Sequence, residues 1–459
     1  MRNAGGAALA ALAFFGVPLA ARADAPAPLD AGGAVQYALA HDPTVLARRA
    51  TLAQYEATYA KNHAAEFPTL AGQLQNQLAK GNGANGGQFQ QYGLTQAQLF
   101  SQNTAQIAST WTLYNGSLSQ IQAQEAVRQI EASRSDVRRA EQQLAADVGS
   151  AWYGAVQQRD AVRLAASDLA YQQQLLAAAR AQERVGRIAG VDVLRAQVNA
   201  LRSEAALATQ RAAEANAREA LAQRIGAPPE TAFALPEELP EPQPPATPLG
   251  TLVALALAGR ADVASAQAQV AAARLTDAAI ETDRRPQLSL SGAFGNQEVP
   301  ATTQLAGFPA FSPSRTGFWQ IAAQETLTVP FIEYGARRAQ HRAARAQLAS
   351  AEAALASSRS GVEVDVRQAL RGVETSRANL GTQREADRLG RESARIAQMQ
   401  YRNGLISLTD ATAAEQSALS AANDLVAARV AYLTALVRLR SAVGTADPLT
   451  VIDVARAFP

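Results

Sequence analysis

The sequence carries one long unit twice, at a fixed offset of 218 residues. The stretch YRNGLISLTDATAAE, residues 401–415, falls on ERVGRIAGVDVLRAQ, residues 183–197. Arg402, Gly404, Ile406, Asp410 and Ala414 lie over Arg184, Gly186, Ile188, Asp192 and Ala196. The same offset carries Leu39 to Leu257, Val45 to Val263, Pro68 to Pro286 and Gly226 to Gly444. An offset that holds over roughly 190 residues marks a duplicated structural unit, so the fold must be built from two equivalent halves.

Within each unit the hydrophobic period changes in the same order. A helical period covers residues 34–66 and 252–284, which predicts one helix of about thirty residues per unit. Pro68 and Pro286 end it, because proline disfavours helix in the residue before it. Strict alternation follows. Leu70, Gly72, Leu74 and Leu78 sit opposite Thr69, Gln73, Gln75 and Gln77, and Ile107, Trp111 and Leu113 opposite Gln106, Thr110 and Thr112. In the second unit Leu288, Leu290 and Phe294 alternate with Gln287, Ser289 and Ser291. Trp319, Ile321, Leu327 and Val329 alternate with Gln320, Gln324, Thr326 and Thr328. Period two with one apolar and one neutral polar side predicts hairpins over 68–115 and 286–333, with glycine- or proline-rich loops at their ends.

Long helices are predicted next, over 117–184 and 335–402, each about 100 Å at ~1.5 Å per residue. In the first, Val148, Ala155, Val162, Leu169 and Leu176 recur every seven residues, a spacing that winds neighbouring helices into a left-handed supercoil. Return helices are expected over 190–225 and 407–443, stopped by Gly226 and Gly444. The repeats themselves span 24–225 and 251–444. A proline-rich linker, 226–250, joins them on the outside of the body, and 445–459 forms a peripheral tail.

Residues 1–23 read as a secretory signal: Arg2, an apolar run to Leu19, and Ala21-Arg22-Ala23 before Asp24. Cysteine is absent, which excludes disulfides, thiolate metal sites and a lipidated cysteine. A formal charge of +2 implies no broad field for nucleic acid. His41, His63 and His341 are the only histidines; HDP at His41 reads as a turn and the other two as solvated surface. No nucleophile elbow, phosphate loop or metal-ligand spacing is visible, so the sequence offers no enzyme site, metal or cofactor. Acid pairs on the helices read as coiled-coil surface charge.

Strands with an apolar and a glutamine- and threonine-lined face resemble a transmembrane barrel wall, although a soluble sheet packed on helices fits the same pattern. Four strands cannot close a barrel, and open edges are not tolerated in lipid. Three chains would supply about twelve strands, an even number in the known range. Trp111, Tyr114, Trp319 and Phe331 are the candidate interfacial aromatics. A periplasmic coiled-coil scaffold would explain the heptads and the signal, but not the alternating strands.

The tandem order, LYNGS from Leu113, FIEYG from Phe331, YRNGLISLTDA from Tyr401 and ARVAYLTALVRLRSAVG ending at Gly444 together resemble outer-membrane efflux proteins of the TolC type. That resemblance covers essentially the whole mature chain. It implies an α+β membrane protein, a trimeric twelve-stranded β-barrel in the outer membrane continued by an α-helical coiled-coil tunnel through the periplasm. It also implies a passive exit duct docked to a periplasmic adaptor and an inner-membrane pump, serving efflux or type I secretion. Gly186 and Gly404 then mark the helix turns at the periplasmic tip, and Asp410 the acidic constriction. The family's second acid is replaced by Ala413 and an expected arginine by Ile406, while Glu415 lies nearby without needing to face inward. Tyr401 matches a tyrosine that pairs with the acid matching Asp192. By helix physics alone, Asp192 and Asp410 also suit first-turn positions, and Ser407 suits a cap.

Overall fold

The computed structural model describes residues 28–81, 98–242, 247–282, 284–301, 314–330, 335–444 and 448–452. The signal segment, most of both hairpin loops, Phe331 and the last residues of the tail lie outside them.

Each repeat opens with two helices where periodicity suggests one. α1 (Ala31–His41) and α2 (Pro43–Ala64) part at Asp42; α5 (Leu249–Gly259) and α6 (Ala261–Thr282) part at Arg260, 218 positions on. The first break is encoded locally. Pro43 cannot continue a helix, and Asp42 accepts from the backbone N–H of Thr44 at 2.8 Å and of Val45 at 3.0 Å. HDP is thus a turn, as its sequence indicates. The second break has neither proline nor side-chain cap, yet Arg260 keeps the same extended backbone, with ψ 130°. Its buried guanidinium reaches Asp262 at 3.0 Å, Asp365 at 2.8 Å and the Ala442 carbonyl at 3.4 Å. Burial works against this charge, but the two carboxylates outweigh it and hold Arg260 above its ordinary pKa.

The four strands form one antiparallel sheet in the order β1 (Thr69–Gly81), β2 (Gln98–Tyr114), β3 (Gln287–Ala301), β4 (Ser314–Thr328). Pairing of β2 with β3, through Ile107↔Phe294 and Trp111↔Leu290, joins the two predicted hairpins. The registers gather Leu70, Leu74, Ile107, Trp111, Leu290, Phe294 and Ile321 on one face. Gln73, Gln75, Gln106, Ser291 and Gln324 share the other, where Gln106 donates to Gln73 at 2.7 Å. The apolar face is bare: Leu74 is 90% and Ile321 82% exposed. Gly295 is required by close approach, since a Cβ there would sit 2.5 Å from the Ala105 carbonyl oxygen. β1 and β4 are the outer strands, each with one unpaired edge.

α3 (Leu118–Arg184) and α7 (Ala336–Arg402) are 67 residues each, and α4 (Gly190–Ile225) and α8 (Leu408–Val443) return beside them over 36. In α7 every seventh residue from Val366 is buried: Val366, Val373, Leu380, Asp387, Ala394 and Tyr401. In α3 the seven-residue seam is buried at Ile130, Val137 and Leu144, then at Val148 and Ala155. Beyond that, Val162, Leu169 and Leu176 are only half-buried. The buried line passes instead to Asp168 and Leu175, and to Gln172 and Ala179. A straight helix drifts by ~20° per heptad against a strict repeat, enough to hand the seam to neighbouring positions.

The linker is not wholly external. Phe233 is buried and packs edge-on against Trp152 with ring centroids 6.1 Å apart, while Leu29 and Phe233 form a parallel bridge. Arg159 donates to the Leu235 carbonyl at 3.3 Å, and the Tyr432 hydroxyl to that of Pro242 at 3.0 Å. Side chains thus take up carbonyls that a proline-rich strand cannot pair itself. α9 (Pro448–Ile452) packs on α3, α1 and α8. Among the described residues no single helix is long and apolar enough to cross a bilayer; the bent pair α5–α6 meets that test only jointly. Trp152 lies at the centre of the larger core. Trp152→Ala is expected to cost about 3–5 kcal/mol, read as a lower denaturation midpoint in detergent.

Candidate functional site

The turns between α3 and α4 and between α7 and α8 lie at the end farthest from the sheet, because α3 and α7 start beside the strands and run ~100 Å. Both turns are built alike. Gly186 N–H donates to Glu183 O (2.8 Å) and Arg187 N–H to Gln182 O (2.9 Å). Gly404 N–H donates to Tyr401 O (2.9 Å) and Leu405 N–H to Gln400 O (2.9 Å). The glycines have φ 72° and 74°, and a Cβ on either would touch nothing, so backbone conformation alone demands them.

Behind the turns lies a small core of Leu175, Ala179, Ala196, Tyr401, Leu408 and Ala411. Tyr401 is the last knob of the α7 seam and only 3% exposed. Its hydroxyl is buried without a hydrogen-bond partner. The Tyr401–Asp192 hydrogen bond that the resemblance implies is therefore not made within the chain; Asp192 instead lies 3.5 Å from Arg195. Burial and then the Asp192 charge raise the Tyr401 pKa, so the two groups still feel each other.

Asp192 and Asp410 occupy matching first-turn positions but differ in their bonds. Ser407 caps α8, accepting from Asp410 N–H at 3.2 Å, while its own N–H and hydroxyl reach the Asp410 carboxylate at 3.4 and 2.7 Å. That reciprocal pair is a capping box. Ala189 stands where Ser407 stands in the other repeat, and α4 has no side-chain cap. Asp410 is exposed and, among the described residues, forms no salt bridge, whereas Asp192 spends its charge on Arg195. Asp410 is thus the acid with charge to spare.

A polar layer missed in the sequence lies ~25 Å from the turn, by helix rise. Asp168, 9% exposed, accepts from Ser203 Oγ at 2.5 Å and Gln172 Nε2 at 3.3 Å. Burial, then the Asp168 charge, pushes the half-buried Glu415 carboxyl above its ordinary value. Burial, then Glu415, pushes the Tyr171 phenol up to about 12. These acids are not surface charge, and neither is Asp387, buried in the α7 seam and held by Arg391 at 2.8 Å. The signal was available: counting by sevens from Leu408 through Ala422, Leu436 and Val443 lands on Glu415. His341 is likewise not solvated. Its ring nitrogens lie 2.9 Å from Asp277 and 2.9 Å from Glu281, tying α7 to α6. His63 is exposed, as expected.

Of the aromatics singled out in the sequence, Trp111, Tyr114 and Trp319 are exposed on the sheet. Trp319 stacks on Phe294 at 5.4 Å, and Trp111 donates to the Glu66 carbonyl at 3.0 Å. Phe331 is outside the described residues.

Two tandem helix–sheet–helix repeats with tips of this kind define a protein of the outer-membrane channel class. The family model described as outer membrane efflux protein matches residues 34–227 and again 252–445. The chain belongs to that family and is an outer-membrane protein. Its fold is similar to that of the CmeC outer membrane channel of Campylobacter jejuni, with 16% identity, TM-score 0.71, and 90% of this chain and 85% of that one covered. VceC from Vibrio cholerae gives 17%, 0.69, 90% and 96%. The open state of MtrE from Neisseria gonorrhoeae gives 20%, 0.69, 90% and 88%. CmeC and MtrE are outer-membrane channels and VceC an outer-membrane protein, and at such identity the likeness is one of fold. No curated protein sequence matches this one.

Two tests follow from the tip. Ser407→Ala should cost about 1 kcal/mol and Ala189→Ser should gain about 0.5–1 kcal/mol, read as faster amide exchange in the first turn of α8 and slower exchange in the first turn of α4, respectively. Glu415 binds more protons folded than unfolded, so stability falls as pH rises through its raised pKa, and the penalty vanishes below about 4.5. Glu415→Gln is expected to melt above the parent at neutral pH and to converge with it near pH 4.5 in a pH series.

Proposed function

We propose that this chain is one third of a trimeric outer-membrane exit duct, a twelve-stranded barrel continued by a helical tunnel into the periplasm. The observation that carries the reading is the sheet. Its apolar face is bare, its other face is lined by glutamine, and β1 and β4 each leave an edge open. Hydrocarbon tolerates an apolar face but not unpaired backbone groups, so β4 of one copy must pair with β1 of the next until the ring closes. Trp111 and Trp319, six register positions apart and so ~20 Å along the strands, suit two interfacial levels, with Tyr114 near the lower one.

The helices support the same closure. Within the chain, α4 lies along α3 and α7 along α8, and the two pairs meet through α3 and α8. That leaves α4 and α7 outermost, and both carry unmatched apolar residues. On α4 these are Val191, Leu194, Val198 and Leu201; on α7 they are Leu389, Ile396 and Met399. The first set lies 5 to 15 residues past Gly186 and the second 15 to 5 before Gly404, hence at equal height above the tip. Packing α4 of one copy against α7 of the next is a head-to-tail contact, which generates a closed ring.

In that ring Asp410 supplies the constriction, since its charge is free of arginine, and Ala413 leaves the ring with one acid per chain. The buried Tyr401 hydroxyl, without a hydrogen-bond partner among the described residues, and the Asp192 charge it feels support a pairing of these two groups at the tip. A neutral glutamine-lined wall discriminates little among cargoes, so selection falls to an inner-membrane pump reached through a periplasmic adaptor. Planar-bilayer recording of the purified protein tests this. Cation-selective conductance is expected, reduced several-fold in selectivity by Asp410→Asn and increased by Ala413→Asp. A protein that passes no ions, or whose selectivity ignores both changes, overturns the reading. Leu194→Arg should leave monomers in detergent, with one third of the protein mass of the parent assembly, measured by mass.

A further inference from the structure

A cavity of about 880 Å³ lies well above the tip, in the groove between α3 and α7 with α8 as its floor. α6 packs against both α3 and α7 higher in this groove, and the cavity opens below the α6 N-terminus at Arg260. Four arginines line it: Arg139 from α3, Arg224 from α4, Arg260, and Arg438 from α8.

Two of these charges are spent. Arg224 pairs with Asp147, and Arg260 with Asp262 and Asp365. The other two are not. Among the described residues, Arg438 makes no ion pair, and Arg139 has a buried Nη1 that donates to nothing. A guanidinium cannot discharge itself by losing a proton at any ordinary pH, so the cost of burying Arg139 is met only by an acceptor. Burial, then the neighbouring Arg260 charge, pushes the Arg139 pKa down, against the pull of Asp262 and Asp365, neither of which makes an ion pair with it among the described residues. Counting Asp262, four guanidiniums face three carboxylates, an excess of one positive charge (4 − 3).

We infer that this cavity is a binding site for a phosphate-type oxyanion, held by Arg139 and Arg438. Guanidinium donors arriving from two different helices approach from separate directions, which suits a tetrahedral oxyanion, with acceptors on all sides, better than a planar carboxylate. Arg260 is locked by its own carboxylates and sets the Arg139 environment without needing to touch the ligand. Free phosphate and a phosphorylated lipid headgroup share this chemistry. The site stands on the groove of a single chain and does not depend on ring closure.

The test is calorimetric titration of the detergent-purified full chain with inorganic phosphate, at constant ionic strength in chloride. Saturable binding is expected, weakened at least ten-fold in Arg139→Gln and weakened also in Arg438→Gln. Without phosphate, Arg139→Gln should melt no lower than the parent, because a half-buried guanidinium with an unsatisfied Nη1 has been removed; lost binding is then not lost folding. Arg438 is exposed, so its variant gives a second reading free of any packing change. Absence of saturable binding in the parent, or an affinity in both variants equal to the parent's, overturns the inference. Dispersed short-chain phosphatidic acid forms the second arm. Tighter, Arg139-dependent binding than that of free phosphate assigns the headgroup as the source, and weaker binding assigns the soluble anion. Bilayer conductance retained in Arg139→Gln separates this site from the duct itself.

Discussion

Side chains that recur every seven residues and bury against a neighbouring helix are what allow so slender a molecule to exist. A helix of ~100 Å has no globular core around it, and its stability comes from a continuous apolar stripe. In α7 the buried stripe runs from Val366 to Tyr401, apolar except at Asp387, and its last member is the tyrosine beside the turn. Tip geometry is therefore an end effect of the seam. Where Tyr401 sits, how deeply its hydroxyl is buried and which acid it feels all follow from a count that starts 35 residues away (401 − 366).

The same seam holds its exceptions in place. Asp168, Gln172 and Ser203 occupy buried positions where leucine or alanine would pack better, and Asp168 satisfies itself through Ser203 and Gln172. A polar layer in a coiled coil costs stability and in return penalises sliding, since any shift leaves a buried carboxylate facing carbon. Glu415 approaches this layer from α8, so the contact between the two helix pairs carries an acid whose pKa is raised by burial and by the Asp168 charge. The tip is thus joined to the rest of the helical body through a layer of carboxylate, amide and hydroxyl groups.

Much of this was legible in the sequence. Repeat, long helices, strands and tips follow from period and punctuation, because glycine with positive φ and the switch from seven to two are local properties of the chain. The break at Asp42 was legible too, since proline and an N-cap residue stand together. Its counterpart at Arg260 was not: nothing within a few residues forbids a helix there, and besides the nearby Asp262 the contacts that hold the guanidinium come from Asp365 and Ala442. Linker burial depended likewise on one aromatic, Phe233, finding Trp152. At the tip, composition identified Asp410 and Asp192 as equivalent, but only coordinates showed that one is neutralised by Arg195 and the other is not. Glu415 was readable by counting heptads, yet a single acid in a charged helix looks like solvated surface until its neighbours are known.

The two bends illustrate how duplicated segments come to differ in when they can form. The first needs only a proline and an aspartate within a span of four residues, so it can set as soon as that stretch of chain exists. The second is held by Asp262 two residues on and also by partners 105 and 182 residues further on. Arg260 therefore completes its set of contacts only when nearly all of the chain has been made. A polypeptide delivered across a membrane from its amino end would carry one finished elbow and one undecided, and its second half would acquire its bend last, as α7 and α8 arrive.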